Sequence, residues 1–169
     1  MTRALVVVAA VVLLLGSAGC GGGGSSPSQP TVTTSRAVVS VTQTSVGLLG
    51  LSSSPDHRLR LELPVQISNV SDVQCRLGYF RLQLFVDATE IERAEVTADD
   101  IVALAGTNLV TRASPLTLTL VFNFNSVEFT QASLTLGGQD EHGYTLERAI
   151  QNLEVEVAPE LMAAREPTR

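Results

Sequence analysis

Carboxylates crowd one stretch of this chain: Asp87, Glu90, Glu92, Glu95, Asp99 and Asp100. Oxygen ligands at such density can hold calcium, which takes about six to eight of them. The spacing matches no EF-hand loop, which needs acids at alternate positions and a Gly at the turn. The simpler expectation is an acidic, solvated rim. Glu90 and Glu92 could act as a glycosidase pair only about 5–10 Å apart across a cleft. Neighbouring acids on one outward strand face do not meet that need. A serine hydrolase needs an exposed Ser, a His base and an orienting acid. Ser is plentiful, but no Gly-x-Ser-x-Gly elbow occurs. His57 and His142 both lie in polar, loop-like contexts. Asp56 with His57, and Asp140 and Glu141 with His142, are each too few for a zinc site unless the loops converge. The expectation is a chain that is not an enzyme, with no cofactor and no metal.

The thiols remain. Cys20 ends the run Leu13-Leu14-Leu15-Gly16-Ser17-Ala18-Gly19-Cys20, behind Arg3 and an apolar stretch from Ala4 to Leu15. A bilayer core takes about 20 apolar residues as helix, and this run breaks off sooner. A short apolar region followed by small residues is the secretory pattern. Residues 17–20 resemble the lipobox of bacterial lipoproteins, with Ser17 where Leu is usual. The resemblance implies cleavage before Cys20 and lipidation of that residue. Two acyl chains anchor a protein stably where one does not. An ordinary secretory leader would instead leave Cys20 a free thiol, and an uncleaved one would itself be the anchor. Cys75 is the other cysteine. With Cys20 acylated it lacks an intramolecular partner, and a buried small hydrophobe is the expected fate.

The layout follows: a signal peptide over 1–19, a lipidated Cys and flexible tether over 20–35, a folded domain over 36–158 and a tail over 159–169. Residues 21–30 are Gly, Ser, Pro and Gln only, too polar to fold and suited to a tether. Formal charge is −6, and every cation outside the termini is Arg. Nucleic acid and anionic lipid both call for a basic surface, so neither is an expected partner.

The domain reads in period two. Leu59, Leu61, Leu63, Val65 and Ile67 alternate with polar residues and Pro64. Phe80, Leu82, Leu84 and Val86 repeat the pattern, as do Leu116, Leu118, Leu120, Phe122 and Phe124. Weaker copies are Val39 with Val41, Leu134 with Leu136, and Leu153, Val155 and Val157. Such alternation predicts antiparallel strands with one wet face. Two packed sheets cover the apolar faces most simply, giving an all-β, immunoglobulin-like antiparallel β-sandwich of about seven strands. A small barrel is the alternative. Turns are expected at Ser68 to Asp72, Gly106 to Asn108 and Gly137 to Asp140. Pro64 cannot donate to a ladder, which predicts an edge, a bulge or a sheet switch there. Thr97 with Asp100 looks like a capping box, with Gly106 as the stop; a loop with a short strand competes with that helix. Asn69-Val70-Ser71 fits a glycosylation sequon but is expected to be a turn. Val46 to Leu51 lacks alternation, which predicts a loop packed under the sandwich or an exposed contact patch.

The stretches Val65 to Asp72, Phe80 to Asp87 and Leu118 to Phe122 are similar to a group of bacterial lipoproteins. Their immunoglobulin-like domain has no known function. The resemblance implies a fold and an extracytoplasmic, membrane-anchored location, and no functional residue. Lacking chemistry, the chain is expected to be a binding or scaffold lipoprotein of the cell envelope with a protein partner. The candidate edges for strand pairing are Val38 to Thr44 and the strand bearing Pro64. A carrier of a small ligand or calcium is the alternative.

Overall fold

The computed structural model describes residues 35–150 and 153–161. Cys20, the leader and most of the tether lie outside the described residues. The described residues form an all-β sandwich with one inserted helix. Its elements are β1 (Val39–Gln43), β2 (Gly47–Leu51), β3 (Leu59–Asn69), β4 (Cys75–Val86), β5 (Thr89–Thr97), α1 (Ala98–Ala105), β6 (Leu109–Val110), β7 (Leu116–Phe124), β8 (Gln131–Asp140), β9 (Thr145–Ile150) and β10 (Val155–Val157). More strands form than the alternation suggested, because several are short or lie at edges.

In the first sheet β3 is central. β7 pairs along one side of it, while β1 and β2 divide the other. β10 adds to β2 in parallel, the one exception to antiparallel pairing among the described residues. In the second sheet β4 and β8 are central, β9 flanks β8, and β5 and β6 divide the outer side of β4. The alternating residues face inward as expected: Leu59, Leu63, Val65, Ile67, Phe80, Leu120, Leu134 and Leu136 are fully buried between the sheets. Such burial contributes about 1.5–3 kcal/mol per large side chain.

α1 begins at Thr97, whose side chain accepts from the Asp100 amide while Asp100 accepts from the Thr97 amide. It stops at Gly106, which is left-handed. Ile101 anchors the helix in the core, and α1 packs on β4, β5 and β7.

Three expectations need correction. Pro64 does not mark an edge; β3 is central, and the interruption falls in its neighbour, between β1 and β2. Val46 to Leu51 is not a loop. Residues 47–51 form β2, with Gly47 and Leu49 buried and Leu48 and Leu51 exposed. Apolar residues on both faces hid the alternation, and Gly47 permits the approach: a Cβ there would lie 2.5 Å from a Leu63 methyl. Gly137 to Asp140 is not a turn but the end of β8. The Tyr79 ring lies where a Gly137 side chain would project. β4 carries its irregularity opposite, between Leu77 and Tyr79. The real turn follows, at 141–144. Residues 159–161 also stay packed: the Ala158 amide donates to the Leu49 carbonyl, the Leu161 amide donates to the Ala158 carbonyl, and Leu161 is buried; the rest of the tail lies outside the described residues.

Candidate functional site

The acidic stretch does not converge. Most of its carboxylates are spent on a local task. Glu90 accepts from Gln83 Nε2 at 2.6 Å and from Arg93. Glu95 pairs with Arg81 at 3.1 Å. Asp100 caps α1, and Asp87 sits in the β4–β5 turn. Glu92 ties β5 to the segment after β7, accepting from the Asn125 and Ser126 amides at 2.8 and 2.7 Å. Partial burial pushes the Glu92 carboxyl up. The Ser126 side chain, those two amides and the charge of nearby His57 outweigh it, and the group sits below its ordinary range. Among the described residues no three His, Cys, Asp or Glu side chains are placed to share a metal ion.

The two histidine loops do not meet. Glu92, beside His57, pairs with Leu84 near the end of β4. Asp140 pairs with Cys75 at its start. Asp56 donates its amide to Ser54 Oγ within the first loop. Asp140 organises the second: Oδ1 accepts from the His142 amide at 3.0 Å and the Tyr144 amide at 2.9 Å. Its other oxygen faces the Ala37 amide at 3.5 Å. Arg36 lies over the Tyr144 ring, 4.4 Å from its centroid. These contacts fasten the entry of the domain to the β8–β9 turn. Glu141 and His142 approach only to 4.0 Å on the exposed rim.

Cys75 is a buried free thiol. Burial pushes its pKa up, and the neighbouring Asp140 charge pushes it further. Its environment is that of a packed apolar residue. Asn69 is also buried, with Nδ2 on the carbonyls of Val73 and Val110 and Oδ1 on Ser71. Both ends of the amide are used, so this motif is a turn anchor.

What remains is the side of the sandwich where β1 and β9 run. An edge strand shows a row of unpaired N–H and C=O groups, and proteins guard such rows with charge, proline or cover. β5 carries Glu90, Glu92, Arg93 and Glu95. β9 carries Glu147 on its outer face and Arg148 on its inner face, across from buried Leu136. β7 has α1 and β5 packed near it. β1 reads Val-Ser-Val-Thr-Gln, with no charge and no proline. Among the described residues its outer side pairs with no strand.

The direction of its groups follows from its neighbours. Val38 O accepts from the Val70 amide, and the Thr44 amide donates to Pro64 O. Even-numbered residues therefore address β3. The N–H and C=O of Val39 and Val41 point away from the sheet. Beside this edge lies a cleft of about 430 Å³ lined by Val41, Gln43, Val46, Ile150, Leu153 and Glu154, among others. Gln43 closes one end. Its amide donates to Glu154 O at 2.6 Å and accepts from Glu154 N at 2.9 Å, copying a strand rung. The sequence marked the edge, Val38 to Thr44, but not the cleft. Its walls come from segments more than a hundred residues apart, and no local pattern announces their meeting.

No protein-family model and no curated protein matches the chain. Among solved structures it is similar to one titled "X-ray structure of Northeast Structural Genomics Consortium target SoR45". Identity is 12%, covering 79% of this chain and 94% of that one, with a TM-score of 0.43. A likeness at that level carries no argument about function.

Proposed function

We propose that this chain is a bacterial, extracytoplasmic lipoprotein, anchored to the membrane through acyl chains on Cys20. Its sandwich, related to the immunoglobulin-like domains of such lipoproteins, is a non-enzymatic protein-binding module of the cell envelope. The observation that carries the binding reading is β1: an uncharged edge beside an open cleft, where β5 and β9 carry charge and β7 has α1 and β5 packed near it. A partner segment that adds as a strand there gains backbone hydrogen bonds from the edge and side-chain contacts from the cleft.

The anchor and the binding are tested together. Cells expressing the full chain are fed an alkyne fatty acid, fractionated, and crosslinked before mass spectrometry. The reading predicts label and membrane retention lost in Cys20→Ala, and a dominant envelope protein crosslinked to residues 36–157. Label-free protein released from the membrane contradicts the anchor. A cleft of this size also lies within the range of small-ligand sites, about 300–1,000 Å³. A carrier reading therefore ranks second; a thermal shift with calcium or lipid and no protein crosslink would favour it.

A further inference from the structure

Resting on the Cys20 anchor proposed above, we infer that the domain lies with its entry end on a phospholipid bilayer of neutral headgroups, touching it through Val38, Val70 and Tyr144. The entry end is the end of the sandwich at which the chain comes in, at Arg36. Large apolar side chains stay open to solvent there: Val38 is 42% exposed, Val70 62% and Tyr144 39%. They are neighbours. The Val70 amide donates to the Val38 carbonyl, and Arg36, two residues before Val38, lies over the Tyr144 ring. Each sits at the tip of a strand: Val38 precedes β1, Val70 follows β3 and Tyr144 precedes β9. Val with Tyr and Arg suits the boundary of headgroup and acyl chain, where an apolar body and a polar tip are both satisfied. Charge at this end is mixed, with Arg36, Arg76 and Arg112 against Asp72, Asp140 and Glu141. Such a mixture favours neutral headgroups over anionic ones, as does the formal charge of −6 on the whole chain.

The length of chain between Cys20 and the domain selects which end can rest there. About fifteen peptide units join Cys20 to Ser35. A Gly/Ser-rich coil of that length spans about 20–25 Å. The sandwich is taller: the 12 residues of β4 run about 35–40 Å from one end to the other. The far end also shows apolar side chains, Leu51 at 51% among them. Bringing that end to the bilayer would draw the coil along the whole height of the domain, well beyond its ordinary span. The entry end comes down without stretch. β1 then rises from the lipid with Val39 lowest, and its open edge faces sideways along the membrane.

The chain contains no Trp, so a single Trp can report on each end. The acylated chain, purified from the membranes of cells that express it, is reconstituted in phosphatidylcholine vesicles with and without brominated acyl chains. Fluorescence of the Val70→Trp and Tyr144→Trp variants should be quenched by bromine. That of Leu51→Trp, a Trp with the same intrinsic affinity for the interface, should not. With Tyr144→Trp as reporter, Val70→Asp should lower the ratio of lipid-bound to free domain about fivefold, the effect of keeping one half-exposed Val in water. Val38→Asp should act alike. Phosphatidylglycerol should not strengthen quenching, and quenching that requires it overturns the neutral fit. Equal quenching at all three positions, quenching of Leu51→Trp alone, or none at any position overturns the apposition. Mass spectrometry of the same sample keeps the two readings apart: a chain acylated at Cys20 and vesicle-bound retains the anchor, whereas Cys20 without acyl chains removes the anchor and this inference with it. Copies that crosslink through position 70 and escape quenching would assign this end to a second copy and overturn the lipid occupant.

Discussion

Thr44 donates its backbone N–H to the carbonyl of Pro64 at 3.0 Å, and Pro64 has no N–H to return. An antiparallel rung of this kind normally exchanges two bonds. Losing one ends the ladder of β1. Gln43 pairs with Val65 and Leu48 with Glu62, so five steps along one chain answer three along the other. The two extra residues bulge out between β1 and β2. That bulge brings Val46 to the cleft, and Gly47 leads the chain back into the sheet. Pro64 thus shapes the candidate site from the neighbouring strand.

Gly47→Ala should destabilise the fold. The added methyl meets Leu63, which is fully buried, and lies 3.1 Å from the Glu62 carbonyl. Overpacking of this kind costs about 1–3 kcal/mol. Urea unfolding should show a lower midpoint with an unchanged slope.

Ala88→Gly should stabilise. The two-residue turn between β4 and β5 holds Asp87 and Ala88 at φ of 48° and 67°. Hairpins with such a turn favour Asp-Gly, since a Cβ is costly in the left-handed region. The gain, net of the extra freedom of Gly in the unfolded chain, is about 0.5–1 kcal/mol. Thermal unfolding measures it directly.

Acid should loosen the two ends of the sandwich. Burial pushes the Asp140 carboxyl up, but the Tyr144, His142 and Ala37 amides outweigh it and hold it below its ordinary range. Glu92 is held low in the same way. A carboxyl with a depressed folded pKa contributes stability above its unfolded value, about 3.9 for Asp and 4.3 for Glu. That contribution is lost as pH falls through the folded value. The melting temperature should stay level from pH 7 to about 5 and drop below about 4. Asp140→Asn should be less stable at pH 7 and show a shallower acid limb; an unchanged limb would contradict the role given to Asp140.

The parts legible in the sequence are those where one residue type answers to one physical demand. Leu59 to Ile67 and Leu116 to Phe124 alternate because each has a buried and a wet face. Thr97 and Asp100 announce a helix start because orphan amides need acceptors there. β5 shows no apolar alternation because it lies at an edge: of Thr89 to Thr97, only Val96 is buried. Gly137 and Gly138 resembled a turn because small size serves close approach as well as positive φ. Gln43 and Glu154 gave no local sign of meeting, since a side-chain amide on a distant backbone follows from the finished fold.

The central claim is that β1 is the docking edge. A photo-crosslinking residue placed singly at Thr42 on β1, Thr117 on β7 or Glu147 on β9 tests it in the full-length chain in its native membrane. The account predicts a discrete crosslinked polypeptide from Thr42 alone, lost when Val41→Pro is added. Equal capture from all three positions, or capture from β7 or β9 and none from β1, would contradict it.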